Sequence, residues 1–202
     1  MMTSIIASCT QEQTESDFRW VIDRFDDVKV IRYQVPEFDA LPLEQKMLVY
    51  YSGEAAKCGR DIMFDQNFKY NLAIRRTLEG VYTNCKGDPN HEEWQKVVEY
   101  LKKVWFANGI HHHYAEDKFF PECPKEYFQS LMTAVKTDDA ELLDIIYNPE
   151  IAPARKATGA DVDIVAESAV NFYDGVTRAE VEKFYAAMVD PKDKTPISYG
   201  LN

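Results

Sequence analysis

The sequence is organised around residues 105–121, which read Trp-Phe-Ala-Asn-Gly-Ile-His-His-His-Tyr-Ala-Glu-Asp-Lys-Phe-Phe-Pro. A helix with an apolar face is predicted to end here, because Asn108 and Gly109 both tolerate a positive φ and can close a helix in the left-handed conformation. Residues 111–113, three of the chain's four histidines, follow directly. We therefore expect the histidines on loop or extended backbone, between aromatic residues and a pair of acids.

Three interpretations of the histidine triplet are open. On an extended backbone, His111 and His113 would share one face and His112 would point away. One interpretation is a metal site that uses His111 and His113, although no Cys-x-x-Cys or His-x-x-x-His pair is present to complete it. A second is a structural polar loop whose imidazoles bond to the backbone and to the acids that follow. The third, which we favour, is a cleft-lining loop that offers imidazoles and the Tyr114 ring to a polar ligand.

Composition limits the class of protein. The chain has 202 residues, of which 46% are hydrophobic, enough for one good-sized globular domain or two small ones. The net charge is −11, with acids scattered along the whole chain. We expect no nucleic-acid partner, since phosphate binding needs the opposite sign of charge. No segment approaches the length of a transmembrane helix.

The N-terminus predicts a lipid anchor. Residues 5–9, Ile-Ile-Ala-Ser-Cys, end a short apolar run in small residues and a cysteine, which resembles the cleavage box of bacterial lipoproteins. We therefore interpret residues 1–17 as a signal remnant and tether, with lipidation at Cys9 and a location in the cell envelope or periplasm. The alternative is a cytoplasmic protein, because no basic segment precedes the apolar run and the run is short. The remaining cysteines, Cys58, Cys85 and Cys123, are predicted to be small buried thiols.

Hydrophobic periodicity predicts a mainly α fold, a helical domain over residues 18–202 with one or a few short β-strands. Residues 18–25 have helical spacing, and the alternating β-branched residues 28–35 predict one strand that Pro36 ends. Asn90 with Glu93, and Thr177 with Glu180, are capping-box patterns. Residues 161–170 fit helix or strand. The predicted helices cover residues 42–59, about 65–84, 90–108, 127–135, 138–148 and 177–189.

Self-contained catalytic motifs are missing from the sequence. There is no Gly-x-Ser-x-Gly elbow, phosphate-binding glycine loop or dinucleotide fingerprint. Residues 91–95, His-Glu-Glu-Trp-Gln, come nearest to a zinc-binding helix motif, but the second histidine is replaced by glutamine. Acid pairs such as residues 26–27 and 138–139 fall at turns or helix starts, where the helix dipole explains them. We therefore predict no catalytic residue in this chain.

Several stretches together resemble the dipeptidyl peptidase III family of the bacteroidete type, in register from about Phe18 to the last residue. Such enzymes are two-lobed zinc exopeptidases that release dipeptides from the N-termini of oligopeptides. The family's zinc ligands and general base come from a His-Glu-x-x-Gly-His helix and a later glutamate of the second lobe, which this sequence lacks. The resemblance implies that the chain is the N-terminal, zinc-free portion, inactive without its catalytic lobe. It rests on residues 32–36, 59–67, 105–114, 171–177 and 195–202.

The resemblance also implies a substrate-binding loop. The family pattern is an asparagine, several variable residues, an aromatic, a small residue, an acid and then Lys-Phe, and this loop lines the peptide cleft. The positions that match this pattern are Asn108, Tyr114, Ala115, Glu116, Lys118 and Phe119, and the histidines occupy its variable section. Together with the cleft-lining interpretation of the triplet, this predicts as substrate-binding residues Asn108, His111, His113, Tyr114, Ala115 and Glu116. Zinc is expected only in the full-length family, and none on this chain. The surface that faces the missing lobe should be unusually apolar, and the apolar end at residues 197–202 predicts a longer protein.

A second function remains open on the sequence alone. The chain would then be a stand-alone, peptide-binding envelope lipoprotein that does not hydrolyse its ligand. In both cases the partner is an oligopeptide.

Overall fold

The computed structural model of the chain describes residues 18–85 and 87–194. The chain divides into two compact units, Met1–Asp39 and Ala40–Asn202. The predicted tether with its lipidation site Cys9, and the apolar end at residues 197–202, lie outside the described residues.

The first unit contains an antiparallel β-hairpin, where the sequence predicted a helical turn followed by one strand. Strand β1 is Val21–Phe25 and strand β2 is Val28–Ile31. Asp26 takes a positive φ of 47° in the two-residue turn, which lets Phe25 pair with Val28. The helical prediction for residues 18–25 is therefore wrong, because exposure in β1 alternates with period two and the turn supplies a partner strand at once. The 3-10 turn Pro36–Ala40 follows.

The second unit is helical, and the fold is mainly α as predicted. Residues 161–170, which the sequence left undecided, contain a short helix. The capping box of Thr177 and Glu180 is confirmed. The helices are α1 Leu43–Cys58, α2 Arg60–Asn67, α3 Asn71–Cys85, α4 Glu92–Ala107, α5 Lys125–Ala134, α6 Ala140–Tyr147, α7 Ile164–Glu167 and α8 Arg178–Ala186.

The main core lies between α3, α4, α5 and α6, with α3 in contact with each of the other three. Its apolar residues recur at three- and four-residue spacing, as a buried helix stripe requires. A smaller cluster joins Val165, Val170 and Val181. The side chains of the main core include Ile74, Leu78, Val81, Val97, Leu101, Val104, Phe128, Met132, Leu142, Leu143, Ile145 and Ile146.

Two predicted helix boundaries are wrong. The helix predicted over residues 65–84 is two helices, because the backbone at Phe68 is extended and its ring is buried, 5% exposed. Asn90 does not cap α4: its N–H donates to the carboxylate of Asp88 at 2.9 Å, and the helix begins at Glu92 without a side-chain cap.

Helix α1 runs over the predicted residues but does not bury the predicted face. None of its residues is buried, and Leu43, Leu48 and Tyr51 are 68%, 67% and 61% exposed. Cys58, at the end of α1, is likewise exposed and not a buried thiol. Within the described residues, no helix combines the length and the apolar character that crossing a membrane requires.

Candidate functional site

The candidate site is the histidine loop, defined here as residues 108–119. It begins where α4 ends, and the predicted helix stop is confirmed: Asn108 is left-handed with φ 55°, and Gly109 has φ 153°. The N–H of Gly109 donates to the carbonyl of Val104 at 3.0 Å. A Cβ on Gly109 would lie 2.2 Å from Nδ2 of Asn71, so only glycine fits here.

The side chain of Asn71 fixes the entry to the loop. Its Oδ1 accepts the N–H of Ile110 at 3.1 Å, and its Nδ2 donates to the carbonyl of Phe64 at 3.1 Å. Asn71 is fully buried and both of these bonds use its amide, so α2, α3 and the histidine loop are tied together at one residue.

The histidine loop folds back on itself as a short antiparallel pair. The N–H of Phe119 donates to the carbonyl of Ile110 and the N–H of His112 donates to the carbonyl of Asp117, both at 2.7 Å. The N–H of Glu116 donates back to the carbonyl of His112 at 3.1 Å, which closes the turn. The histidines therefore lie on extended and turn backbone, as expected.

His111 packs into the core. It is 2% exposed, and its ring meets the ring of Phe68 edge-on at 5.8 Å. Its Nε2 lies 2.9 Å from the carbonyl of Ala152 and must carry the proton, which leaves Nδ1 without a partner among the described residues. Burial lowers the pKa of His111 from 6.5 to about 4. The imidazole is therefore neutral at pH 7.

His112 and His113 form the turn and do not continue an alternating strand. Nδ1 of His112 accepts the backbone N–H groups of Tyr114 and Ala115 at 3.2 and 3.0 Å. The His113 ring lies 4.7 Å from that of His112 and 5.1 Å from that of Phe106. The predicted alternation stops after His112 because the chain turns there, so His111 and His113 do not share a face.

Tyr114 is the exposed end of this group of rings. Its centroid is 4.3 Å from that of His113, yet 82% of the residue is exposed. Ala115, the next residue, is also exposed. The loop therefore presents one aromatic ring to solvent on a backbone that is hydrogen-bonded on both sides.

Glu116 and Arg155 lock the far side of the loop. Nε and Nη2 of Arg155 each donate to a carboxylate oxygen of Glu116 at 2.7 Å, a bidentate pair with both side chains 23% exposed. Nη1 of Arg155 donates to Asn67 at 3.2 Å, and Asn67 donates to the carbonyl of Asn108 at 3.0 Å. Hydrogen bonding to Arg155 lowers the pKa of Glu116. Glu116 is thus an anion held against the protein.

Lys118 anchors the loop to the end of α6. Its ammonium donates to the carbonyls of Ile145, Asn148 and Ile151 at 2.5, 2.7 and 2.9 Å. Lys118 is 7% exposed, and burial lowers its pKa from 10.5 to about 8. The amine is therefore still charged at pH 7, where it complements the negative end of the helix.

Comparison with sequence models of known families and with characterised proteins gives no match.

In the part of the chain that the structure describes, the nitrogens of His111 and His112 that make hydrogen bonds are taken up by the protein itself. Nε2 of His111 is engaged by Ala152, and Nδ1 of His112 already accepts two N–H groups. Over residues 18–85 and 87–194, no group of three or more His, Cys, Asp or Glu side chains is placed to hold a metal ion.

The sequence patterns did not predict all of the residues that hold the loop. Asn67 lies in residues 59–67, one of the stretches on which the family resemblance rests, but no sequence pattern predicted a role for Asn67 or Asn71. Arg155 lies in a segment without periodicity and gave no signal, since its partner Glu116 is 39 positions away. Only the fold brings these three side chains to the loop.

Proposed function

We propose that this chain forms the peptide-cleft portion of a dipeptidyl-peptidase III-like zinc enzyme, with the histidine loop in contact with the peptide. The zinc and its chemistry would belong to a catalytic lobe outside this chain. The observation that carries the proposal is the exposure of Tyr114, 82% of the residue, on an anchored turn. The family resemblance of the loop supports it.

An anchored, exposed tyrosine suits peptide recognition for a physical reason. Its ring offers a large apolar face, and its hydroxyl can donate to or accept from a peptide backbone. The loop is fixed by backbone N–H groups that donate to His112 and Asn71, and by the hydrogen bonds that Arg155 donates to Glu116. A ligand would therefore lose little free energy in ordering the loop on binding.

The predicted site residues take different roles in this proposal. Tyr114, Ala115 and the half-buried His113 are the residues a peptide would touch. Asn108, Glu116 and His111 position the loop, because the Asn108 carbonyl, the Glu116 carboxylate and the His111 Nε2 are already bonded within the protein. The proposal thus assigns binding to the turn and support to its flanks.

The test is a binding measurement by fluorescence anisotropy with a labelled oligopeptide set. Tyr114→Ala should weaken the tightest peptide by about tenfold, the usual loss for an aromatic anchor. Tyr33→Ala is the matched control, since Tyr33 is 76% exposed but lies in the hairpin unit. Peptide binding that is absent in the wild type, or equally weakened by both substitutions, would contradict the proposal.

A further inference from the structure

A concave surface adjoins the histidine loop on the far side of Phe68 and Ala152, the residues that contact His111. It is a groove of about 650 Å³ between α6, α7 and residues 168–177. That volume is within the range of small-molecule sites. No residue of the histidine loop lines the groove.

The floor of the groove is apolar. Phe68, Ile145, Val165 and Val170 line it, and each is at most 7% exposed as a residue, so the side chains are fixed by the packing behind them. Ile151, Val176 and Ala166 extend the apolar lining. A ligand with a hydrocarbon body would gain free energy by displacing water from this floor.

The rim of the groove is acidic. Four carboxylates and one ammonium line it, those of Glu141, Asp144, Glu167, Asp174 and Lys69. Tyr70 donates to Glu141 at 2.7 Å, and the ammonium of Lys125 lies 3.7 Å from Asp144. The Lys69 ammonium sits over the Tyr70 ring at 5.2 Å. The Lys118 ammonium lies behind the groove, where it donates to the carbonyls of Ile145 and Ile151. Four carboxylates therefore face three ammonium groups, and the rim keeps a small surplus of negative charge beside a low-dielectric floor.

We propose that this groove binds an organic cation, a primary ammonium carried on an apolar body. The ammonium would lie between the Glu141 and Asp144 carboxylates, which are three residues apart on α6 and therefore neighbours on one helix face. The apolar body would cover the Val165 and Val170 side of the floor. A carboxylate of the same shape would be rejected by the rim charge. This site does not depend on the function proposed for the histidine loop.

The probe is 4-phenylbutylamine, with 4-phenylbutyrate as its charge-reversed match. Methyl NMR of the full chain should show saturable shifts at Ile145, Val165 and Val170 with the amine and none with the acid. The amine affinity should fall as salt is raised, because the rim charges are exposed and screened. Equal binding of both probes, or amine shifts confined to methyl groups outside the groove, would overturn the proposal.

Substitutions test whether the amine is bound by the rim carboxylates and not by acids elsewhere on the surface. Glu141→Gln with Asp144→Asn should weaken amine binding roughly fivefold or more, since each exposed ion pair contributes a factor of roughly two to five. Glu44→Gln, which removes an acid from α1 outside the groove, should leave the affinity for the amine unchanged. Tyr114→Ala should also leave it unchanged, so failure of the loop proposal is distinguishable from failure of this one. An unaltered affinity in the double variant would refute the proposal even if the wild type binds.

Discussion

At the scale of single residues, His111 is an imidazole used as a core side chain. Its ring hydrogen bond to the carbonyl of Ala152 requires a proton on Nε2, and burial keeps the ring in the neutral form. Protonation would place a charge where 2% of the residue meets water. The fold is therefore linked to pH through this residue.

Stability should fall with acid because of His111. Its pKa is about 4 in the folded state against 6.5 ordinarily, so between these values the unfolded chain binds the extra proton. The contribution of His111 is complete above pH 6.5, is lost as the pH falls towards 4, and totals at most about 3 kcal/mol. In His111→Gln, urea unfolding should show a shallower fall in free energy between pH 6.5 and 5.

The pH range of that measurement lies above the range in which the Glu116 carboxylate takes up its proton. The pKa of Glu116 is lowered from 4.5, so its contribution is present above pH 4.5 and is lost only in stronger acid. His91→Gln removes an exposed imidazole and serves as the control. If His111→Gln and the wild type lose stability in parallel from pH 6.5 to 5, the neutral, buried assignment is wrong.

Gly109 is a position that only glycine can occupy without strain. Gly109→Ala would need a left-handed backbone at φ 153° and would push a methyl group onto the Asn71 amide. We expect a loss of about 2 kcal/mol or more in the free energy of unfolding. Gly53→Ala is the matched control, because Gly53 lies within α1 and a Cβ added there would meet no atom within 4 Å. This substitution should raise the free energy of unfolding by about 0.5–1 kcal/mol. Thermal unfolding of both variants should therefore show shifts of opposite sign.

At the scale of elements, the histidine loop is held by a segment distant in sequence. The N–H of Arg155 donates to the carbonyl of Glu116 at 2.9 Å, in addition to the side-chain pair, and the N–H of Lys118 donates to the carbonyl of Pro153 at 3.2 Å. Residues 152–155 thus run beside the loop as a second anchor. Loss of either side of the ion pair should loosen the loop.

A double-mutant cycle measures this anchor. Glu116→Gln and Arg155→Lys should each destabilise, and their coupling energy should be about 1–2 kcal/mol, because lysine cannot reproduce the bidentate geometry. Amide exchange of Ala115 and Glu116 should quicken in both single variants. Strictly additive effects would show that the pair does not hold the loop.

The sequence predicted those elements whose signals are local. The Asn108-Gly109 stop and the Thr177 capping box were recognisable because each needs only neighbouring residues. The break between α2 and α3 was missed, because it depends on Asn71 reaching Ile110 and on burial of the Phe68 ring. Within the site, the turn was predictable from composition. The burial of His111 was not, because Ala152 is 41 residues away.

At the scale of the whole molecule, the proposed function predicts that this chain by itself binds a peptide without cutting it. The sequence lacks the His-Glu-x-x-Gly-His motif that the resembled family uses to hold zinc. A dipeptidyl-naphthylamide assay with added zinc should therefore give no turnover above the metal-only blank. Hydrolysis that co-purifies with the chain and falls in Tyr114→Ala would contradict the assignment of chemistry to another lobe.

Helix α1 gives the molecule an uneven distribution of stability. Its sixteen residues include none that is buried, so little tertiary packing supports it, whereas α3 and α4 are anchored in the core. A helix of that length is marginal on its own in water. Among the described helices, deuterium uptake should therefore be fastest in α1 and slowest in α3 and α4. Whatever this stretch of chain does, it can exchange its helical form for coil at small cost while the remainder stays folded.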